Sequence, residues 1–283
     1  MTTKSKAILI TGCSSGIGLS VATGLKQRGY RVFATARQDR DVETLRNNGF
    51  ESYQLDLADS ASISEAVETV LAQTGGELFA LFNNGAYGQP GAVEDLRREV
   101  LRQQFETNLF GTHELTNRVI PVMRKQGYGR IIQNSSILGL ISLPYRGAYN
   151  ASKFALESLS DTLRLELHNT GIHVSLIEPG PIESRFRANA YAMFKQNIDR
   201  EHSAHRDYYQ GVEKRLSKKG HAQPFTLPPE AVLKKVIHAL ESPRPKRRYY
   251  VTFPTYIFGV ARRILPANLL DKILLKVSAG ENK

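Results

Sequence analysis

The chain has 283 residues and a single cysteine, Cys13, which excludes an intrachain disulfide and with it a small secreted scaffold stapled by cystines. Hydrophobic residues make up 41% and charged residues 23%, and a chain of this length and composition buries a sizeable core without such staples. The net charge of +11 sits in the last hundred residues: 1–184 hold 18 Lys and Arg against 19 Asp and Glu, 185–220 hold 9 against 4, and 246–283 hold 8 against 2. A nucleic-acid-binding core spreads its cations along the fold, so nucleic acid is not an expected partner. Met1 is followed by a polar stretch with no apolar signal-peptide region. The 13 uncharged residues between Arg248 and Arg262 fall short of the roughly 20 that a bilayer crossing needs. The expectation is a soluble, cytoplasmic protein.

Short apolar runs then alternate with amphipathic stretches. Ala7–Ile10 reads as a strand, Ile17–Arg28 as a helix, Arg31–Ala36 as a strand, Val42–Asn47 as a helix and Tyr53–Leu55 as a strand. Ser60–Gln73 reads as a helix and Leu78–Phe82 as a strand, followed by one long helical region from about Asp95 to Arg124. Strand Arg130–Asn134, helix Tyr149–His168 and strand His173–Ile177 complete the alternation. Continuous apolar strands between helices predict a Rossmann-type, doubly wound parallel sheet with helices on both faces. No repeat or linker interrupts the pattern, so residues 1–283 are expected to form one domain. Residues 183–227 have weaker periodicity and read as an insertion over the carboxyl edge of the sheet. Pro228 and Pro229 open another helix, and 253–283 form an amphipathic extension.

Chemistry is first signalled directly after the first strand, by Thr11-Gly12-Cys13-Ser14-Ser15-Gly16-Ile17-Gly18. Glycines at 12, 16 and 18 let the backbone turn tightly and approach a pyrophosphate at a helix N-terminus; an ordinary glycine-rich turn is the plainer alternative. A fold of this kind that binds NAD presents an acid near the end of the second strand, for the ribose hydroxyl. Here that strand ends in Thr35-Ala36-Arg37. Arg37 suits a 2′-phosphate and so favours NADP; alternatively Arg37 is solvated and Asp39 or Asp41 serves as the acid. The third signal is Tyr149-Asn150-Ala151-Ser152-Lys153, with Ser136 thirteen residues before the tyrosine. Tyr149 and Lys153 share a helix face. Lowering a phenol to neutrality takes roughly 4 kcal/mol, which one ammonium about 4 Å away supplies at an effective dielectric of about 20. The pair is therefore expected to make Tyr149 a proton donor and acceptor, with Ser136 hydrogen-bonding the same substrate oxygen.

These motifs, with Asp56-Leu57, Asn83-Asn84-Gly85-Ala86, Asn108 and Pro179–Ser184, resemble those of the short-chain dehydrogenase/reductase family, from Ala7 to about Val251. The resemblance implies a catalytic tetrad of Asn108, Ser136, Tyr149 and Lys153. Tyr149 is the implied acid/base, Ser136 the residue that holds the substrate oxygen, and Lys153 the ligand of the nicotinamide ribose. Asn108 is implied to order a water in a proton relay. The resemblance also implies that NADP(H) is bound by Gly12, Ser14, Ser15, Gly16, Ile17 and Gly18 of the loop, with Arg37. Further contacts are implied from Asp56, Leu57 and Asn84, then Pro179, Gly180, Ile182 and Ser184. Two departures stand out: the usual Asn-Asn-Ala-Gly reads Asn-Asn-Gly-Ala here, and Ser15 stands where many NADP users carry a base.

Within the family the chain is similar to the branch of hydroxysteroid and retinol dehydrogenases and to bacterial NADP-dependent aldehyde reductases. An apolar aldehyde, ketone or secondary alcohol is the implied substrate, and a homodimer or homotetramer through the helices around 108–125 and 150–169 the implied assembly. Leu138, Leu140, Ile141 and Leu143, with Phe186, Tyr191, Met193 and Phe194 in the insertion, would line such a pocket, or serve as core. The tail's apolar faces, Ile257 to Leu265 and Leu269 to Val277, suit packing on the domain or a second subunit, or peripheral contact with a membrane. His202 and His205 lack further ligands, so no metal is expected. A non-catalytic NADP-binding sensor of the same fold is the alternative from another functional class.

Overall fold

In the computed structural model, which describes residues 6–218, 220 and 224–281, the strands predicted from apolar runs lie side by side. β1 (Ala7–Ile10), β2 (Arg31–Ala36), β3 (Glu51–Gln54), β4 (Ala80–Asn83), β5 (Gly129–Asn134), β6 (Ile172–Glu178) and β7 (Arg248–Tyr250) form one sheet in the order β3-β2-β1-β4-β5-β6-β7. Every pairing is parallel, with Ile8 opposite Val32 on one side and Ala80 on the other. A strand paired on both edges and covered on both faces must be apolar throughout. Ile8, Leu9 and Ile10 accordingly have no exposed surface.

Two apolar layers sandwich the sheet. On one face α1 (Gly16–Gln27) packs Val21, Ala22 and Leu25 with Val232 and Val236 of α9 (Glu230–Glu241). On the other face lie Ile63, Val67 and Val70 of α3 (Ser60–Gln73), with Leu115, Val119 and Met123 of α5 (Gly111–Gln126). Each such fully buried side chain contributes roughly 1.5–3 kcal/mol relative to exposure. α2 (Asp39–Asn47) and α6 (Gly147–Glu166) complete the alternation in a single domain.

The structure departs from the predicted elements in three places. The long helix expected from Asp95 to Arg124 is interrupted: α4 (Arg98–Phe105) passes into a π-helical turn over Glu106–Phe110 before α5 begins. The extra residue of such a turn shifts the helix face, and it turns Asn108 inward, leaving it 1% exposed. β7 is an unpredicted strand of three residues, and its first, Arg248, is the type that ordinarily argues for surface. The segment read as an irregular insertion contains α7 (Phe186–Asn197) and α8 (Arg206–Ser217), which share a core of Phe194, Tyr209 and Val212. At its neck, Ile182 pairs with Leu227 in an isolated parallel bridge, held by Leu227 N–H to Pro181 O at 3.1 Å and Glu183 N–H to Leu227 O at 3.0 Å.

The tail forms α10 (Phe253–Ile264) and α11 (Ala267–Glu281). Leu270, Leu274 and Val277 of α11 pack on Leu138, Ile141 and Leu143, together with Phe258 of α10. Of the alternatives for the tail, this face packs on its own domain.

Candidate active site

The carboxyl ends of β1 and β4 lie where the chain order of the sheet reverses, the usual place for a crevice in an open parallel sheet. The loop after β1 turns at Gly12, whose φ is +70°. A side chain at Gly18 would bring its Cβ within 2.2 Å of Gly12 O, so α1 can press against the loop only with glycine there. Ser15, at the start of α1, makes no side-chain capping bond, and the first turn holds no acid. The helix N-terminus thus offers backbone N–H groups and a positive dipole end that suit a bound pyrophosphate. Ser14 is exposed, whereas Cys13 is buried, and burial pushes its thiol up to about 12.

A ladder of amides ties this loop to the neighbouring strands. Asn84 Nδ2 donates to Thr11 O at 3.0 Å and Gly12 O at 3.2 Å, and Asn84 Oδ1 accepts from Asn134 Nδ2 at 2.9 Å. Thr11 Oγ1 accepts from the Asn84 and Gly85 N–H groups at 2.9 and 2.8 Å. Asn84 therefore braces the loop with its whole amide. Asp56 Oδ1 accepts from Ala58 N–H at 2.9 Å, and Leu57 is buried beneath Gly111. Arg37 is exposed at the end of β2 and takes part in no ion pair among the described residues. Its guanidinium reaches electrostatically to Tyr87, where burial pushes the phenol up and Arg37 pulls it partly back.

Ser136, Tyr149 and Lys153 converge at the end of β5. Ser136 opens a short 3₁₀ turn, its Oγ accepting from Leu138 N–H at 3.1 Å, and its hydroxyl acts on the phenol of Tyr149, drawing its value down. Lys153, one turn further along α6, is 3% exposed; its Nζ donates to Asn134 O at 2.7 Å and lies 5.7 Å from the Tyr149 ring centre. The expected acidification of the phenol does not appear. Burial pushes Tyr149 up to about 12, against the Ser136 hydrogen bond, and burial draws Lys153 down to about 8, against the attraction of Glu157. Removal from water sets the direction of both shifts.

Asn108 stands further back. Its Nδ2 donates to Tyr87 O at 2.9 Å and to Ser152 Oγ at 3.2 Å, and its Oδ1 accepts from Tyr87 N–H at 3.2 Å. It fixes the loop that carries Tyr87, whose part in the site the sequence reading missed. On the other flank, Pro179 O accepts from Ile137 N–H at 2.8 Å, and a Cβ on Gly180 would strike Thr252 Oγ1 at 2.2 Å. Ser184 lies across the glycine loop, its Cβ 2.8 Å from where a Gly16 Cβ would sit, and Ile182 sits in the neck bridge. Phe186 stands edge-on to Tyr149 with ring centres 5.3 Å apart. Leu138, Ile141 and Leu143 form the apolar wall beside that tyrosine, whereas Phe194 belongs to the insertion's own core.

Behind the site is a buried ionic cluster that the sequence reading also missed. Arg248 bridges Glu157, Glu178 at 2.6 Å and Asp161 at 2.5 Å. Burial raises both glutamates, Glu178 to about 8 with Glu157 adding repulsion. Glu157 stands one helical turn beyond Lys153, and that spacing was its available signal. The histidines of the insertion are engaged elsewhere, His202 with Asp199 at 2.9 Å and His205 with Glu94 at 2.5 Å. Among the described residues no group of three His, Cys, Asp or Glu is placed to hold a metal.

Comparison with known proteins agrees with this geometry. Residues 6–194 match the family described as short chain dehydrogenase. The chain is 45% identical over 269 residues to an Escherichia coli protein named uncharacterized oxidoreductase YbbO, covering 95% of this chain and 94% of that one. It is 35% identical over 260 residues to human 17-beta-hydroxysteroid dehydrogenase type 1, covering 87% and 77% of the two chains. Among solved structures, actinorhodin polyketide ketoreductase with NADPH superposes with a TM-score of 0.72 at 28% identity, over 89% of this chain and 97% of that one. The chain belongs to the short-chain dehydrogenase/reductase family, oxidoreductases that use a nicotinamide cofactor on alcohol and carbonyl groups.

Proposed function

We propose that the chain is an NADP(H)-dependent oxidoreductase that interconverts an apolar aldehyde or ketone with its alcohol. The observation that carries this reading is the meeting of Ser136, Tyr149 and Lys153 at the end of β5, beside a glycine loop whose helix has no capping bond from the Ser15 side chain. The bound nicotinamide supplies or takes up the hydride. A phenol holds its proton at neutral pH, and burial of Tyr149 reinforces this, so it donates to a carbonyl oxygen as that oxygen gains charge. Ser136 Oγ hydrogen-bonds the same oxygen. Lys153, anchored on Asn134 O, places a cation one turn from the phenolate that remains after transfer. Asn108 fixes the Tyr87 loop, and the water-ordering task that the resemblance implies for it belongs to the same reading.

Preference for NADP is supported by Arg37, exposed at the end of β2 and without an ion pair among the described residues, where Ser14 is also exposed. The NADPH in the ketoreductase of similar fold supports it too. Loop contacts to the cofactor fall to Gly12, Ser14, Ser15, Gly16, Ile17 and Gly18, with Asp56 and Leu57 on the adenine side. Pro179, Gly180, Ile182 and Ser184 flank the nicotinamide. An apolar substrate is supported by the wall of Leu138, Ile141 and Leu143 and by Phe186 above Tyr149, and by the steroid named for the human relative. Exposed Phe110, Leu159 and Leu165 on the long helices support a homodimer or homotetramer through them.

The test is NADPH oxidation with a panel of aldehydes and ketones of increasing apolar length, repeated with Tyr149→Phe. Turnover is expected to rise with apolar length and to fall by about a thousandfold in the variant, with NADPH affinity unchanged. No oxidation across the panel, or full turnover by Tyr149→Phe, would overturn the reading.

A further inference from the structure

α10 is apolar on two sides, and only one is covered. Thr255, Phe258, Gly259 and Arg262 form its inner side: Gly259 abuts the Tyr250 ring, Phe258 joins the cluster with Leu138 and Leu274, and Arg262 donates to Leu140 O at 2.6 Å. The outer side carries Phe253, Tyr256, Ile257, Val260 and Ile264, which are 57%, 49%, 47%, 53% and 71% exposed. Their spacing of 3, 4, 7 and 11 residues from Phe253 makes one straight stripe three turns long. Phe225, 56% exposed, sets its ring 5.3 Å from that of Phe253. The insertion's end thus widens the patch, even though the Phe225 backbone sits at φ +61°, a conformation that bulky side chains rarely adopt. Contiguous exposed apolar surface of this kind marks an interaction site.

Charge identifies the partner. Residues 246–283 carry 8 Lys and Arg against 2 Asp and Glu, and 1–184 carry 18 against 19, so the apolar stripe lies within a basic segment of a chain whose first two-thirds is neutral. Arg263 and Lys272 are exposed close by along the sequence. A second copy set face to face across a two-fold axis would bring these basic segments against each other. An anionic bilayer instead offers an acyl boundary for the stripe and phosphate groups for the cations. Among the described residues no helix is long and apolar enough to cross a membrane, so contact would be in the plane of the surface. We propose that the outer face of α10, with Phe225, is a docking surface for anionic lipid bilayers, holding α10 parallel to the membrane. This does not depend on the reaction assigned above, because binding is read without turnover.

The test is sedimentation of the full chain with phosphatidylcholine vesicles containing about 30% phosphatidylglycerol, against pure phosphatidylcholine vesicles and against high salt. The wild type is expected to pellet with anionic vesicles and to partition roughly tenfold less into neutral ones or in high salt. Ile257→Ser/Val260→Ser/Ile264→Ser should lose partitioning by at least about tenfold, with NADPH affinity and light-scattering mass unchanged. A second variant, Arg263→Glu/Lys272→Glu, leaves the apolar stripe intact and should lose anionic binding by about tenfold. The proposal is overturned by a wild type that stays in the supernatant, or by binding that either variant leaves unaltered. A fall in mass on serine substitution would overturn it too, showing that the stripe joins copies of the chain.

Discussion

At the residue scale, the site is an arrangement of costs. Lys153 is an ammonium held almost wholly out of water, and burial draws it down to about 8. A lysine whose folded value lies below its unfolded one charges the native state a penalty that is present in full below about pH 8 and disappears as pH rises towards its unfolded range. Replacing Lys153 with Met should therefore stabilise the fold at neutral pH, by at most about 3 kcal/mol, while abolishing turnover. Thermal melts across the alkaline range check this, because the wild type should close the gap between about pH 8 and 10.5. Equal melting temperatures throughout would contradict it. Arg37 poses a different question, of selectivity. Arg37→Asp exchanges a cation for an anion where a 2′-phosphate would lie, and should reverse the ratio of NADPH to NADH dissociation constants, by roughly a hundredfold or more overall. An unmoved ratio would remove Arg37 from that role. Tyr149, Lys153 and Ser136 were legible because their spacing is local. The direction of the Tyr149 and Lys153 shifts was not, since burial comes from Leu138, Phe186 and their neighbours, which are distant in sequence or belong to other elements.

At the element scale, legibility followed the physical source of each signal. Strands β1, β2, β5 and β6 were read from apolar runs because paired, covered strands leave no place for polar side chains. The π turn over Glu106–Phe110 escaped because a one-residue insertion in a helix leaves composition and most of the apolar spacing intact. β7 escaped because Arg248 occupies its first position, and only the folded chain brings Glu157, Glu178 and Asp161 to it. That cluster joins α6, β6 and β7, so it fixes the helix bearing Tyr149 and Lys153 to the edge of the sheet. Arg248→Met would leave carboxylates buried without their counter-charge, a loss of roughly 3–5 kcal/mol. The sign of the pH dependence follows from Glu178, raised to about 8: its contribution is present at low pH and lost as pH rises through that value. Wild type and variant lose that contribution together up to about pH 8; without Arg248 the value of Glu178 rises further, so the deficit seen in melts should grow as pH rises above about 8. A deficit that shrinks over that range would mean that the carboxylates are not the cause.

At the scale of the whole molecule, the sheet and its two apolar layers were predictable from alternation, and the tail was not. Amphipathic spacing looks the same whether a helix faces its own core or another phase. Only the fold separates α11, which packs on Leu138, Ile141 and Leu143, from α10, whose outer stripe is exposed. The uneven charge was plain in the sequence from the start; its meaning emerges when the basic segment 246–283 proves to carry the exposed stripe of α10.

The bridge between Ile182 and Leu227 has an evolutionary consequence. The chain leaves and rejoins the sheet at adjacent points, and the excursion between them closes its core of Phe194, Tyr209 and Val212 against Ala92 of the main body. Length and sequence there are free to diverge without disturbing the strand order, as loop-closure entropy grows only slowly with length. Lineages of such enzymes can thus acquire new substrates by swapping this one excursion while the hydride-transfer machinery beneath it stays put.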